Sequence, residues 1–172
     1  MVHRVIEVRR AIEVRRAVAD DAAELTRLRE HLFAGMDGVH PEPAQWQQDA
    51  IAVLSKRLDE RDGEMAAFVV DMPDAPGRLA SCAIGVIDTR LPSPHNARGE
   101  AGYVMSVATD PEHRRRGYSR GCMRALLDWF GERGVTRIML NASAEGEPLY
   151  TQLGFAFSGD PMMRLRLPDK DQ

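Results

Sequence analysis

The sequence predicts a single α/β (α+β) domain, a mixed sheet of about seven strands with about four helices on its faces. Segments of strand character alternate with segments whose apolar residues recur at helical spacing, in the order β-α-α-β-β-β-α-β-α-β-β. A length of 172 residues suits one domain with a sizeable core. The expected boundaries are an N-terminal extension at 1–11, the domain at 12–168 and a short tail at 169–172.

Taken in order, the hexapeptide IEVRRA occurs twice, at 6–11 and 12–17, and only the second copy leads into the strand-to-helix joint VADD. A period of six is far too short for a repeat architecture, so 12–18 reads as the first core strand and 6–11 as a local duplication. Asp20 or Asp21 is the expected N-cap of a helix over 21–36, whose stripe is Leu25, Leu28, Leu32 and Met36. Trp46, Ile51, Leu54 and Leu58 mark a second helix over 43–61. MAAFVVD (65–71) and LASCAIGVID (79–88) read as strands joined by a turn-rich segment. After a polar loop at 89–100, AGYVMSVATD (101–110) is nearly continuous in apolar residues and should be central. Tyr118, Cys122, Ala125, Leu126, Trp129 and Phe130 give a third helix one apolar face, ended by the glycines at 131 and 134. A strand at 135–141, a short helix within 143–154, and strands at FAFSG (155–159) and MMRLRLP (162–168) complete the chain.

Composition excludes several classes. A formal charge of −3 gives no general attraction to nucleic acid or membrane, so any anion preference must be local. Two cysteines are too few for a disulfide framework, and the scattered histidines make no metal site. With no signal-like leader and no apolar run long enough to span a bilayer, the expectation is a cytoplasmic protein.

The informative joint is ATDPEHRRRGYSRGCM (108–123), where a strand runs through Arg114, Arg115, Arg116 and Gly117 into a helix. A helix start leaves backbone N–H groups without internal partners and carries partial positive charge. Glycine admits a bulky anion, and guanidinium groups suit phosphate oxygens. The spacing is neither that of a P-loop nor that of a dinucleotide fold. A solvated charge run, or a patch for nucleic acid, would use the same arginines, although no aromatic platform interleaves them.

A second constellation follows at 143–155, with Tyr150 on a short helix before Leu153-Gly154-Phe155. Together the two segments resemble the GNAT superfamily of acyl-CoA-dependent N-acyltransferases over about 12–167. Its motif [RQ]-x-x-G-x-[GA] aligns with Arg114 to Ser119, with Ser119 in the small-residue position. Its later tyrosine and L-G-F align with Tyr150 and 153–155, and Ser143 stands where many members carry asparagine.

The resemblance implies a mostly antiparallel sheet with a splayed acyl-CoA cleft, and acetyl-CoA as donor. The pyrophosphate would rest on the amides of Arg115, Arg116, Gly117, Tyr118 and Ser119, with Arg114 bracing the loop. The pantetheine arm would lie along Val107 and Ala108, with Ser143 near it. A backbone N–H near Val107 would face the thioester oxygen, and Tyr150 would be the general acid. Glu100 at the mouth of the central strand, and Glu145 and Glu147 near the tyrosine, are the carboxylates that could serve as a base, and none is singled out. The acceptor is an amine, on a small molecule or a protein; no metal, nucleic acid or membrane partner is implied, and a homodimer is compatible. The rival readings are a non-catalytic acyl-CoA-binding module and, behind it, a nucleic-acid-binding domain.

Overall fold

The computed structural model describes residues 11–34, 43–60 and 62–167, so the first IEVRRA copy lies outside the described residues except for Ala11. The chain divides into two compact units, Met1–Asn141 and Ala142–Gln172.

In the larger unit, β1 (Arg15–Arg16), β2 (Met65–Asp71), β3 (Leu79–Thr89), β4 (Glu100–Thr109) and β5 (Ile138–Met139) lie side by side in chain order. The first three junctions are antiparallel and the last is parallel. Helices α1 (Ala22–Ala34) and α2 (Pro43–Asp59) cover one face. They bury Leu25, Leu28, Leu54 and Leu58 against Met65, Ala67, Val69, Cys82 and Ile84. Helix α3 (Tyr118–Glu132) covers the other with Cys122, Met123, Leu126 and Phe130. Helices on both sides explain why β2 and β3 are almost wholly apolar.

Two glycines set how closely α3 approaches. A Cβ on Gly85 or on Gly102 would come within 2.8 Å of the Phe130 ring, which is fully buried. The ring therefore fills the room those two positions leave open.

The sheet has five strands among the described residues rather than about seven, and helix caps account for part of the difference. In the expected strand 135–141 only Ile138–Met139 pair. Val135 donates its N–H to Phe130 O (3.0 Å) and Gly134 to Gly131 O (2.9 Å), with Gly134 left-handed at φ 75°. That pattern is a Schellman cap, and it uses the amide a ladder would need.

The first strand is likewise shorter than 12–18. Ile12 and Val14 instead lie beside Gly117 and Gly121 of the α3 start. Arg15 fastens the remaining pair by hydrogen bonds of 2.8–2.9 Å to Asp21 and Asp71. Asp21 is not the N-cap. It reaches back from inside a 3₁₀ turn (Ala19–Asp21) to accept the Val18 amide at 2.8 Å.

The smaller unit contains α4 (Glu147–Gln152). Phe155 donates to Tyr150 O (3.0 Å) and Gly154 to Thr151 O (3.1 Å), with Gly154 at φ 95°. The Leu-Gly-Phe signature is thus a second Schellman cap, closed by the Tyr150–Phe155 ring contact at 6.1 Å. With Phe155 committed to the cap, and Asp160 donating locally to Ser158 Oγ (3.3 Å), the described part of 155–168 forms no strand. Both expected C-terminal strands are corrected accordingly.

Replacing Gly102 by Ala should cost about 1–3 kcal/mol through overpacking against Phe130. The expected reading is a lower urea midpoint at unchanged m-value, partly restored in the double variant G102A/F130L.

Candidate functional site

The site begins with one extra residue in β4. Gly85 pairs with Val104 and Ile84 with Ser106, so Met105 has no partner on β3. Amide directions agree. Gly102 donates to Arg137 O (2.8 Å), towards β5, whereas Asp110 donates to Ala80 O (2.9 Å), towards β3. Two even-numbered residues of a regular strand would point the same way, so an inserted residue lies between them. Past the bulge, Val107 and Thr109 turn their N–H groups away from β3. Pairing with β5 has already ended at Tyr103–Met139, so among the described residues β4 runs on from 104 to 109 with that edge open. Ala108 is oriented oppositely. Its carbonyl accepts from Ser81 Oγ at 3.1 Å, leaving Val107 and Thr109 to present backbone groups to the edge.

The edge leads directly into the arginine loop. Asp110 accepts the Glu112 amide (3.2 Å) and starts a 3₁₀ turn over Pro111–His113. Arg114 is extended, while Arg115 (φ 62°) and Gly117 (φ 84°) are left-handed. Such alternation lets successive N–H groups form an anion-binding concavity. For a residue with a Cβ it is strained, which points to a constraint at Arg115. All three arginines are exposed, and Arg116 donates to Glu112 O at 3.2 Å.

Gly117 is the N-cap of α3 and brings no side chain to cap it. Ser119 is turned to Thr109, their hydroxyl oxygens 2.6 Å apart, and Thr109 is 2.8 Å from Ser81. This hydroxyl chain joins the end of β4 to the first turn of α3. It also takes up a side chain of the first turn that could have obstructed the helix end.

Arg27 of α1 anchors the loop from beneath. It contacts Glu24 (2.8 and 2.9 Å), Asp110 (2.8 Å) and Leu79 O (2.8 Å), while Glu24 accepts the Leu79 amide at 2.9 Å. Burial by itself would raise the Asp110 and Glu24 carboxyls. Hydrogen bonds from Arg27 and from backbone amides outweigh it and hold both below their ordinary values.

Of the carboxylates considered as bases, Glu100 is paired with Arg98 at 2.9 Å, and Glu145 and Glu147 are exposed. Cys82 and Cys122 are buried free thiols pushed up to about 12 by desolvation, so neither is a nucleophile near neutral pH.

In the smaller unit, Ser143 introduces α4. Its Oγ accepts the Gly146 amide (3.1 Å), and its carbonyl accepts from Gly146 and Glu147 at 3.0 and 2.9 Å. Tyr150 is half-buried, and burial raises its phenol above the ordinary value of 10.0. The phenol therefore stays protonated at neutral pH.

Two features were not anticipated as parts of the site. Nothing in VMSV announces the bulge at Met105. Arg29, which lines a cavity of about 50 Å³ with Met105 and Ser106, did have a signal. It occupies the i+4 position of the stripe Leu25, Leu28, Leu32, a slot that normally takes an apolar residue.

Open edge, concave loop and uncapped helix end together suit an extended molecule with an anionic group. The sequence matches the GNAT acetyltransferase family over residues 25–155. The chain belongs to that family.

Solved structures agree on the fold. A predicted acetyltransferase from Clostridium acetobutylicum, determined with acetyl-CoA, is 20% identical at a TM-score of 0.75, covering 89% of this chain and 95% of that one. A GCN5-related N-acetyltransferase from Ralstonia eutropha JMP134 is 25% identical at 0.75, covering 89% and 97%. A ribosomal-protein-alanine N-acetyltransferase from Brucella melitensis biovar Abortus 2308 is 21% identical at 0.63, covering 92% and 100%. No curated protein matches the sequence significantly. Among the described residues no helix is long and apolar enough to cross a membrane.

The Arg27 cluster makes stability depend on pH. Because the folded Asp110 and Glu24 carboxyls lie below their ordinary 3.8 and 4.5, their contribution is complete above that range and is lost as pH falls through the lower folded values. Arg27→Met should lower stability at neutral pH by roughly 2 kcal/mol, since it removes the closest cation from two mostly buried carboxylates that keep only Arg78 at 3.5 Å, His113 at 3.6 Å and their backbone amides. Urea midpoints between pH 7 and 3 should fall less steeply in the variant than in the parent.

Proposed function

We propose that the chain is an acetyl-CoA-dependent N-acetyltransferase that moves the acetyl group directly to a primary amine. Family membership makes acetyl-CoA the donor. The observation that carries the reading is the outward Val107 amide on an open strand edge that ends in an uncapped helix start.

The residues fit the donor. With glycine at the cap and Ser119 turned to Thr109, neither the cap residue nor Ser119 competes for the first amides of α3. Arg115, Arg116, Gly117, Tyr118 and Ser119 would hold the pyrophosphate through their backbone, with charge supplied by the exposed arginines and Arg114 bracing the loop. Val107 and Thr109 would bind the pantetheine arm as a further strand, beside Ala108, whose backbone stays with β3. Ser143 keeps a hydroxyl hydrogen to donate to the same arm, because its oxygen is already an acceptor.

When bound, acetyl-CoA supplies a thioester carbonyl open to attack and a thiolate leaving group. The Val107 N–H meets the negative charge that builds on the carbonyl oxygen, worth about 3 kcal/mol for one preorganised donor. Tyr150 gives a proton to the departing sulfur, its raised pKa keeping that proton in place until then, and the proton the amine sheds as the amide forms replaces it by way of solvent. Neither cysteine can carry the acyl group, which favours one-step transfer over a covalent relay.

Tyr150→Phe should leave acetyl-CoA affinity unchanged by calorimetry while turnover in a thiol-release assay over a panel of amines falls about 100-fold or more. Unchanged turnover would remove Tyr150 from the mechanism. Retained binding without turnover in the parent protein would instead favour an acyl-CoA-binding module.

A further inference from the structure

Among the described residues, Arg29 is a cation without a counter-ion. Its stripe neighbours Leu25 and Leu28 are fully buried, and its own Nε–H is sealed from solvent with no hydrogen-bond partner. Arg15, Arg27, Arg78 and Arg98 each contact a carboxylate, whereas among the described residues no carboxylate pairs with Arg29. The guanidinium lies over the Phe33 ring at 5.4 Å, a contact that leaves its in-plane Nε–H without an acceptor. Desolvation pulls its pKa below the ordinary arginine value, as expected for a half-buried charge with no carboxylate beside it among the described residues. Such a group is costly to keep unless something pairs with it.

The space beside it shows what that something is. The 50 Å³ cavity is otherwise apolar, walled by Leu54, Met65 and Ile84, apart from the hydroxyl-bearing Ser106. Two of its lining residues, Val53 and Met105, are 53% and 44% exposed, so it opens to solvent. Met105 and Ser106 are consecutive, yet both line it, because the bulge turns them to the same face of the sheet. The residue that redirects the Val107 amide therefore also walls the Arg29 cavity. A single guanidinium among apolar walls balances a singly charged carboxylate but leaves a phosphate ester, at a charge of about −2, only half compensated. A carboxylate is also the planar partner that the guanidinium fork fits.

We infer that Arg29 binds the carboxylate of the acceptor, so that the amine acetylated belongs to a free amino acid and not to a protein chain end or an uncharged amine. The inference rests on the transferase reading for its chemistry but not for its binding site. Arg29 is a specificity residue here, and the proton inventory of transfer is unchanged by it.

The test follows the Nε–H resonance of Arg29 in ¹⁵N-labelled full-length protein, identified by its loss in R29K. The protein is titrated with the common L-amino acids, with the carboxamide of each responder, and with glucosamine 6-phosphate. The expected result is a saturable shift with one or more amino acids and none with their carboxamides. In thiol-release kinetics R29M should then raise the KM of those amino acids about 100-fold, with kcat and the acetyl-CoA KM little changed. Absence of a shift with every carboxylate, equal shifts with the carboxamides, or a response to the phosphate sugar alone would overturn the assignment; should R29K not fold, the resonance is identified through bonds from the Arg29 backbone amide in the parent protein. A carboxylate-dependent shift in a protein that does not bind acetyl-CoA would sustain the site and refute the transferase reading.

Discussion

The site depends on the spare residue at Met105. Strand pairing dictates that side chains and amides alternate, and a sheet covered by helices on both faces has little freedom to break that rule. One insertion reverses the parity of everything after it. Val107 would otherwise spend its N–H on β3; with the bulge it faces the edge that β5 leaves open. The same reversal brings Met105 and Ser106 together on the α1–α2 face, beside Arg29. One local irregularity thus shapes both the open strand edge and the Arg29 cavity.

An open edge and a loop of left-handed residues are costly, and neighbouring contacts hold them. Arg27 ties α1 to the start of β3 and the end of β4, so the loop leaves the sheet from a fixed point. The Ser81–Thr109–Ser119 hydroxyls then connect that point to the first turn of α3. Between the two anchors, the left-handed Arg115 and Gly117 have few alternatives, which is the preorganisation an anion cradle requires.

Long, strongly patterned elements were legible in the sequence. The strands at 65–71 and 79–89, the strand at 100–109 and the helix at 118–132 lie within a residue or so of their expected ranges, because burial on defined faces imposes a clear period. The short strands were not legible. Val135 and Phe155 look like strand residues, but each gives its amide to the helix before it, a choice made by the preceding Gly134 and Gly154. Resemblance to two family motifs located the arginine loop and the Leu-Gly-Phe segment, and the structure supplies their local physics: an uncapped helix end and a Schellman cap under Tyr150. The bulge left no composition signal. Arg29 did, as a charge on an apolar stripe, and it acquires meaning only beside the cavity.

Amide hydrogen exchange at two adjacent residues tests the central claim most directly. If the Val107 N–H faces an open edge where the donor binds, it exchanges quickly in the free protein and slowly with saturating acetyl-CoA, while Ala108, bonded into the sheet, is slow in both states. Slow exchange at Val107 without acetyl-CoA, or no added protection with it, would contradict the account.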